Sequence, residues 1–405
     1  MKRDSLKALL NNRDYLFMQF GMSVSRIGNF MQTVAVNWQL YQLTKSPISL
    51  GILGLATFIP IFVCSFFSGI IADIYNRKKI IFLVQVFQII NACLLAYLTI
   101  TGTITPFLIY LLVGLDAGLY SFESPARQAI GPMIVEKKDY PLSVNLSNIT
   151  YQLTNFIGPA LSGFIIAFHG VKAVYLINAA SFVAVIIALV LMRPLKVVTE
   201  KPNFSWKEIK EGFRFVFKTP LIYSSMLVDF FATFFASAMT LMPIFAVEIL
   251  KVGPTAMGFL YAAPSIGAVL AGLTLPFISH YKKKGKIIVL AVCFYGLCVF
   301  FFSISRNYFL SLILIGLSGA GDMISVVFRN IIRQLNTPNH IRGRMTAINM
   351  VFYTGGPQLG EIEAGFTAKF LGTPLSVALG GLATIFITLI VAKRFPQLTR
   401  YQDID

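Results

Sequence analysis

Asp116, Tyr120, Glu123 and Arg127 follow one another at intervals of four, three and four residues, which on a helix is a single face. Two carboxylates, a phenol and a guanidinium in one line can bind a polar solute, form an ion pair, or take up and release a proton. Burial penalises the charged form of a carboxyl, so an acid whose exposure alternates exchanges its proton as its surroundings change. The same spacing returns 202 positions later as Ser318, Asp322, Ser325 and Arg329. Two further helical stripes read Arg26, Asn29, Thr33, Asn37 and Asp229, Thr233, Ser237, Thr240, with Thr33 and Thr240 standing 207 positions apart. Glu361 and Glu363 interrupt the stretch GGPQLGEIEAG (355–365). Two residues apart, they point to different faces, and Glu361 shares its face with Thr354 and Gln358. One suits binding of a proton or substrate, the other a hydrogen bond to a neighbouring helix; the spacing leaves open which does which.

The elements that must carry these residues are apolar. The chain has 405 residues, 56% hydrophobic and only 13% charged, with a mean hydropathy of +0.73. A soluble domain carries about 25% charged residues, so this composition belongs to a polytopic membrane protein. A helix needs roughly 20 apolar residues to cross a bilayer. Twelve such runs are expected, at 15–43, 48–72, 80–101, 106–127, 143–168, 173–193, 221–249, 255–279, 287–305, 308–329, 345–371 and 374–393. A charge facing lipid costs about 2.5–3.5 kcal/mol at the helix centre. The four stripes avoid that cost if they converge on one wet cavity. At roughly 1.5 Å rise per residue, Asp116 stands some 16 Å from Arg127, near mid-membrane.

The net charge of +17 does not point to nucleic acid, because the cations are sorted by loop. With a cytoplasmic N-terminus, all but six of the 34 Lys and Arg fall on the cytoplasmic side. The exceptions are Arg26 inside a span and Lys45, Lys172, Lys251, Arg306 and Lys369 on the other face. Positive charge resists translocation, so the alternation supports the span count and places both termini in the cytoplasm. The polar opening residues and the long polar-striped first span do not read as a cleaved signal peptide. Cys64, Cys93, Cys293 and Cys298 sit inside apolar spans as packing residues. His169, His280 and His340 lack metal-ligand spacing, and no P-loop lysine motif is present to bind ATP. An enzyme is therefore not expected, nor a metal or cofactor.

The chain echoes itself. SPISLGIL (46–53) matches GPTAMGFL (253–260), 207 positions on, and Tyr151, Gly158 and Gly163 fall on Tyr353, Gly360 and Gly365, 202 positions on. A six-span unit used twice is a transporter signature. The expected division is 1–193, a cytoplasmic linker at 194–220, and 221–405. In the linker Trp206, Ile209, Phe213 and Val216/Phe217 alternate with Lys207, Lys210 and Arg214. That suits an amphipathic helix on the inner leaflet, or an ordinary solvated linker.

GIIADIYNRKKI (69–80) resembles the loop between the second and third spans of the major facilitator superfamily, G-x-x-x-D-R-x-G-R-R/K. Gly69, Asp73, Arg77 and Lys78 match; Ile74 replaces an arginine and Asn76 a glycine. Asn is the next-best residue for the left-handed turn expected there. The resemblance implies that Asp73 pairs with Arg127 in a latch that includes Glu123, and Arg329 is the repeat counterpart. ESPARQAIGPMIV (123–135), NFIGPALSG (155–163) and RGRMTAIN (342–349) are similar to the branch containing enterobactin exporters and macrolide efflux pumps. Gly158, Pro159 and Gly163 partly match the span-five antiporter motif of drug exporters; a kink that eases helix packing is the other reading.

The resemblance covers essentially the whole chain. It implies an all-α membrane fold of two pseudo-symmetric six-helix bundles in a bacterial inner membrane. It implies a monomeric, proton-gradient-driven exporter of a small organic molecule, siderophore-like or an amphiphilic drug. Multidrug efflux without a siderophore role and import of a small metabolite are the alternatives. The expected cavity residues are Arg26, Asn29, Thr33, Asp116, Tyr120, Asp229, Asp322, Glu361 and Glu363. Phe30, Trp38 and Tyr120, on or beside the stripes, would suit an amphipathic ligand.

Overall fold

The computed structural model describes residues 3–194, 206–278, 283–338 and 341–402. Among the described residues every regular element is helical. In chain order these are α1 (Arg3–Asn11), α2 (Arg13–Thr44), α3 (Pro47–Ile74), α4 (Arg77–Ile100), α5 (Pro106–Ile134), α6 (Tyr140–His169), α7 (Val171–Leu191), α8 (Trp206–Lys218) and α9 (Pro220–Phe235). After a 3₁₀ turn at Met239–Leu241 come α10 (Met242–Ile244) and a π turn at Phe245–Ile249. The chain continues with α11 (Pro254–Ile278), α12 (Lys284–Ile304), α13 (Tyr308–Leu335), α14 (Arg342–Leu371), α15 (Thr373–Arg394) and α16 (Pro396–Arg400).

Among the described residues nine of these segments are long and apolar enough to cross a membrane by length and composition. The equally long α2, α6 and α14 fall outside that set; α2 and α14 carry Arg26, Asn29, Thr33 and the two glutamates. Large aromatic side chains stand on the outside, Phe107 at 71% exposed, Phe168 and Phe370 at 78% and Phe309 at 72%. In water such a surface would aggregate; against lipid it is the solvated face.

Local signals set the helix ends. Asn12 caps α2 by accepting the Tyr15 N–H, and its amide donates to Ile134 O at the end of α5 at 2.6 Å. Thr105 caps α5, with Pro106 in the first turn where no N–H is needed. Gly170 (φ +74) and Gly372 (φ +84) join α6 to α7 and α14 to α15, in conformations that need glycine; they too are 202 positions apart.

The expected single helix at 221–249 is broken. α9 ends at Phe235 and the chain continues through tighter and wider turns, with Pro243, which has no N–H to lose, in the first turn of α10. The Ala236 carbonyl accepts from the Ala238 N–H at 2.8 Å and from the Tyr295 hydroxyl at 3.2 Å. In hydrocarbon a freed backbone group must find such a partner.

The chain forms two compact units, Met1–Lys45 with Ala56–Phe204 and Gly253–Ala262, and Ser46–Leu55 with Ser205–Val252 and Ala263–Asp405. The first turns of α3 thus belong to the second unit and those of α11 to the first. In the first unit α2 packs on α6 and α7, and α4 on α5 and α7. Met18, Met22, Ile81, Val84, Ile130, Val185 and Leu189 form a shared core there. In the second, α12 packs on α13 and α15 around Val228, Ile288, Val292, Phe328 and Ile332, and α14 packs on α9 through Met345, Ile348, Ile222 and Met226.

Candidate functional site

The first unit holds one continuous polar cluster, built on α5 and α4. Asp116, Tyr120, Glu123 and Arg127 lie along one face of α5. Arg127 NH1 stands 3.4 Å from Glu123 Oε1, and its NH2 donates to the Tyr120 hydroxyl at 3.2 Å with the guanidinium over the Tyr120 ring. Opposite them α4 offers Gln85, Gln88 and Asn91, spaced by three and all buried. Gln85 Nε2 donates to Glu123 Oε2 at 3.0 Å, Gln88 Nε2 to Asp116 Oδ1 at 3.2 Å, and Asn91 Nδ2 to Leu112 O at 2.9 Å. These three amides were not among the expected site residues. Their signal is nonetheless present in QVFQIIN (85–91), amides at every third position of an apolar span.

From α2, Arg26 lies over the Tyr151 ring of α6 at 6.0 Å, and Phe30 meets the same ring edge-on at 5.6 Å. Asn29 accepts from Asn178 of α7 at 3.3 Å. Thr33 is exposed and donates only within its own helix, to Asn29 O. The cluster thus presents two guanidiniums, two half-exposed phenols and two carboxyls.

The second unit places its charges differently. Arg329 of α13 is wholly buried, with NH2 2.8 Å from Asp229 Oδ1 of α9. The contact is a charge pair without aligned hydrogen bonds. Arg333 NH1 lies 3.7 Å from Asp229 Oδ2 and also donates to Asn349 of α14. Asp322, with its side chain 45% exposed, sits 3.7 Å from Arg329 NH2. So Asp229 and Arg329 form a packed ion pair, while Asp322 keeps an open side.

The rest of the α9 stripe is spent on packing. Thr233 donates to Asp229 O within its own helix, Ser237 donates to Pro357 O of α14 at 3.4 Å, and buried Thr240 donates to Leu50 O of α3 at 3.3 Å. Thr240 is thus buried in the 3₁₀ turn beyond the end of α9.

Glu361 and Glu363 part as their spacing requires. Glu361 faces Gly54 of α3, where an added Cβ would lie 2.8 Å from Glu361 Cβ and 3.0 Å from its Oε2. Glu363 instead accepts from Thr367, one turn along its own helix, at 2.7 Å.

The loop residues divide likewise. Gly69 has open space where a side chain would be. The Asp73 side chain lies outside the described residues, as do His280 and His340 and the linker at 195–205. Arg77 opens α4. Lys78 Nζ donates to Met192 O at 2.9 Å and Arg193 O at 3.4 Å, a cation at the end of α7 where the helix dipole favours one. Asn76 does not take the expected left-handed turn: its φ is −63°, and its side chain caps α4 by accepting the Lys78 N–H. A cap satisfies a helix N–H that a turn would leave open.

Gly158 and Ser162 press α6 against α2. A Cβ on Gly158 would lie 2.9 Å from Ile27 O, and Ser162 donates to Met31 O at 2.8 Å. Gly163 and the Pro159 carbonyl instead meet the first turns of α11, at Thr255 and Gly258. In α8, Val216 is buried and Phe213 and Phe217 are exposed. Glu211 pairs with Arg344 of α14 at 2.7 Å. The side chains of Trp206 and Ile209 lie outside the described residues. Among the described residues no cluster of His, Cys, Asp and Glu could hold a metal ion.

Apolar helices that turn aromatic side chains outward and keep charged lines packed among polar partners define a multi-pass membrane transporter. Residues 8–404 match the transmembrane secretion effector family, and the chain belongs to that family of the major facilitator superfamily. It is 25% identical to the enterobactin exporter EntS of Shigella boydii serotype 18, over 91% of this chain and 88% of that one. In fold it is similar to a bacterial homologue of the iron transporter ferroportin, with a TM-score of 0.74, 17% identity, and 96% and 99% of the two chains covered. It is also similar to a bacterial homologue of the human lysosomal transporter Spinster, with a TM-score of 0.75, 13% identity, and 96% and 97% covered. These relatives are transporters, and this chain is a transporter and not an enzyme.

Proposed function

We propose that the chain is a proton-coupled secondary active exporter of a small organic molecule, siderophore-like or amphiphilic. It works as a monomer in a bacterial inner membrane, both termini cytoplasmic, by alternating access of two six-helix halves, 1–193 and 221–405, joined at 194–220. The observation that carries this reading is the α5 line, where Asp116, Tyr120, Glu123 and Arg127 stand in a row inside a membrane helix. Charges in a span are expensive and mark substrate or proton pathways. Arg26, Tyr120, Arg127 and Tyr151 offer cationic and aromatic faces together, which favours an anionic or amphiphilic solute with aromatic groups. The full-length likeness to an enterobactin exporter supports a siderophore-like substrate and outward direction.

The test is siderophore partition in an iron-starved host lacking the gene, complemented with wild type or Asp116→Asn. Chelating activity is assayed in the medium and inside the cells. Loss from the medium with internal accumulation, restored only by wild type, is the expected result. Restoration by both forms would remove Asp116 from the proposal. No change on deletion would overturn the siderophore reading, and a panel of antibiotics and dyes would then test the amphiphilic one.

A further inference from the structure

The geometry points to Gln85 and Gln88 as positioning residues that tie the Asp116 carboxyl to the Glu123–Arg127 pair through one unbroken line of hydrogen bonds. The inference rests on reading Asp116 as a working carboxyl of the transporter.

The line can be followed atom by atom. Asp116 Oδ1 accepts from Gln88 Nε2 at 3.2 Å, and Gln88 Oε1 accepts from Gln85 Nε2 at 3.2 Å. Gln85 Nε2 also donates to Glu123 Oε2 at 3.0 Å. Glu123 Oε1 faces Arg127 NH1 at 3.4 Å, and Arg127 NH2 ends the line on the Tyr120 hydroxyl at 3.2 Å. Both glutamines are sealed from solvent, Gln85 at 0% exposed and Gln88 at 1%, so no water competes for these bonds from outside. Asn91, bonded to Leu112 O, fixes the register of α4 on α5 beyond the line.

The donors and acceptors make this line a two-state element. A carboxylate at each end only accepts, so some amide between them must donate both ways. Gln85 Nε2 does so with its two hydrogens, while Gln85 Oε1 accepts no bond among the described residues. Suppose Asp116 takes a proton and turns it toward Gln88. Gln88 must then present Oε1, and its Nε2 turns toward Gln85. Gln85 can answer only with Oε1, which withdraws its Nε2 from Glu123. Glu123 is left to Arg127, or to a proton of its own. Charge at Asp116 and the hold on Glu123 are therefore linked through amide flips, with no helix displaced. A physical coupling needs such a bistable element between the sites.

The charged and titratable groups facing this line come from three further directions. Arg26 of α2 faces Glu123 and Arg127, Tyr151 of α6 faces Arg26 and Arg127, and Tyr120 lies along α5 itself. Asp116 and Glu123 also feel each other through space. The experiment must separate that direct term from the line.

Infrared difference titration of the purified full chain in lipid reads carboxyl protonation without requiring transport. The Glu123 band is identified by its loss in Glu123→Gln. Asp116→Asn is expected to move the midpoint of that band. In a Gln88→Met background, which keeps bulk but breaks the line, the same move should shrink by roughly half or more, as a double-mutant cycle measures coupling. Gln85→Met breaks the line at the other amide and should act alike, which guards against one variant failing to fold. A midpoint indifferent to Asp116→Asn, or a move equally large with either methionine present, would overturn the proposal. Export in cells by the same variants is scored separately. The infrared coupling with no export of any solute would leave the line standing and remove the transport reading; export that needs Asp116 without the infrared coupling would do the reverse.

Discussion

Gly51 of α3 and Gly365 of α14 meet backbone to backbone, so that a Cβ on Gly365 would lie 2.7 Å from the Gly51 Cα. Gly258 and Gly163 meet in the same manner, with a Cβ on Gly258 lying 2.9 Å from the Gly163 Cα. Gly51 and Gly258 are repeat partners, as are Gly163 and Gly365. One contact has thus been kept twice, once as α3 on α14 and once as α11 on α6. Small residues at such crossings let helices approach closely where no hydrophobic force drives them together.

Gly163→Val and Gly365→Val should therefore each destabilise the protein, by about 1–3 kcal/mol from overpacking. Gly69→Ala is the matched control. An added methyl there meets nothing, and Ala is the better helix former by about 1 kcal/mol. Thermal unfolding in detergent checks all three, and an equal drop at Gly69 would remove the packing explanation.

The Asp229–Arg329 pair predicts an asymmetry. Removing one partner of a buried pair costs about 3–5 kcal/mol, because the other charge stays buried. Arg329→Met leaves Asp229 with Arg333 at 3.7 Å. Asp229→Leu leaves two buried guanidiniums, with half-exposed Asp322 as the neighbouring acid. Asp229→Leu should lower the unfolding midpoint more than Arg329→Met. The double variant should recover part of the loss relative to Asp229→Leu alone. A larger effect from Arg329→Met would contradict the pairing described.

The architecture and the α5 line were legible because each rests on a period. Long apolar runs announce helices, and four polar residues at helical spacing announce a face. What was not legible depends on partners far along the chain. The stripe beginning on α9 looked equivalent to that of α2, but α9 ends at Phe235 and Thr240, in the 3₁₀ turn beyond it, donates to Leu50 O. Asn76 substitutes for a glycine by a different means, as a cap. Gln85, Gln88 and Asn91 were visible as amides in an apolar span, yet only the pairing of α4 with α5 shows that they serve Asp116 and Glu123.

The break after α9 carries its own prediction. Tyr295 donates to the Ala236 carbonyl just beyond the end of α9, beside the Ala238 N–H. Tyr295→Phe keeps the ring and removes one of the carbonyl's two donors, the Ala238 N–H remaining, which should cost about 0.5–1.5 kcal/mol. Tyr97→Phe, an exposed tyrosine of α4, is the comparison. Unfolding midpoints of the two variants, measured side by side, decide whether the hydroxyl at the break matters.

Glu361 and Glu363 can be told apart by function. Glu361 lies against Gly54 where α3 and α14 cross. Glu363 is satisfied by Thr367 on its own helix. If transport is proton-coupled, Glu361→Gln should slow export by about tenfold or more, equivalent to about 1.4 kcal/mol in the barrier, with the protein still folded. Glu363→Gln should have the smaller effect. Gly54→Ala should also slow export, but by pushing the helices apart, since its methyl would fall 2.8 Å from both the Gln358 carbonyl and Glu361 Cβ. Initial export rates from loaded cells, normalised to membrane expression, test the order. A Glu363→Gln defect exceeding that of Glu361→Gln would reverse the assignment and make the Thr367-bonded glutamate the working acid.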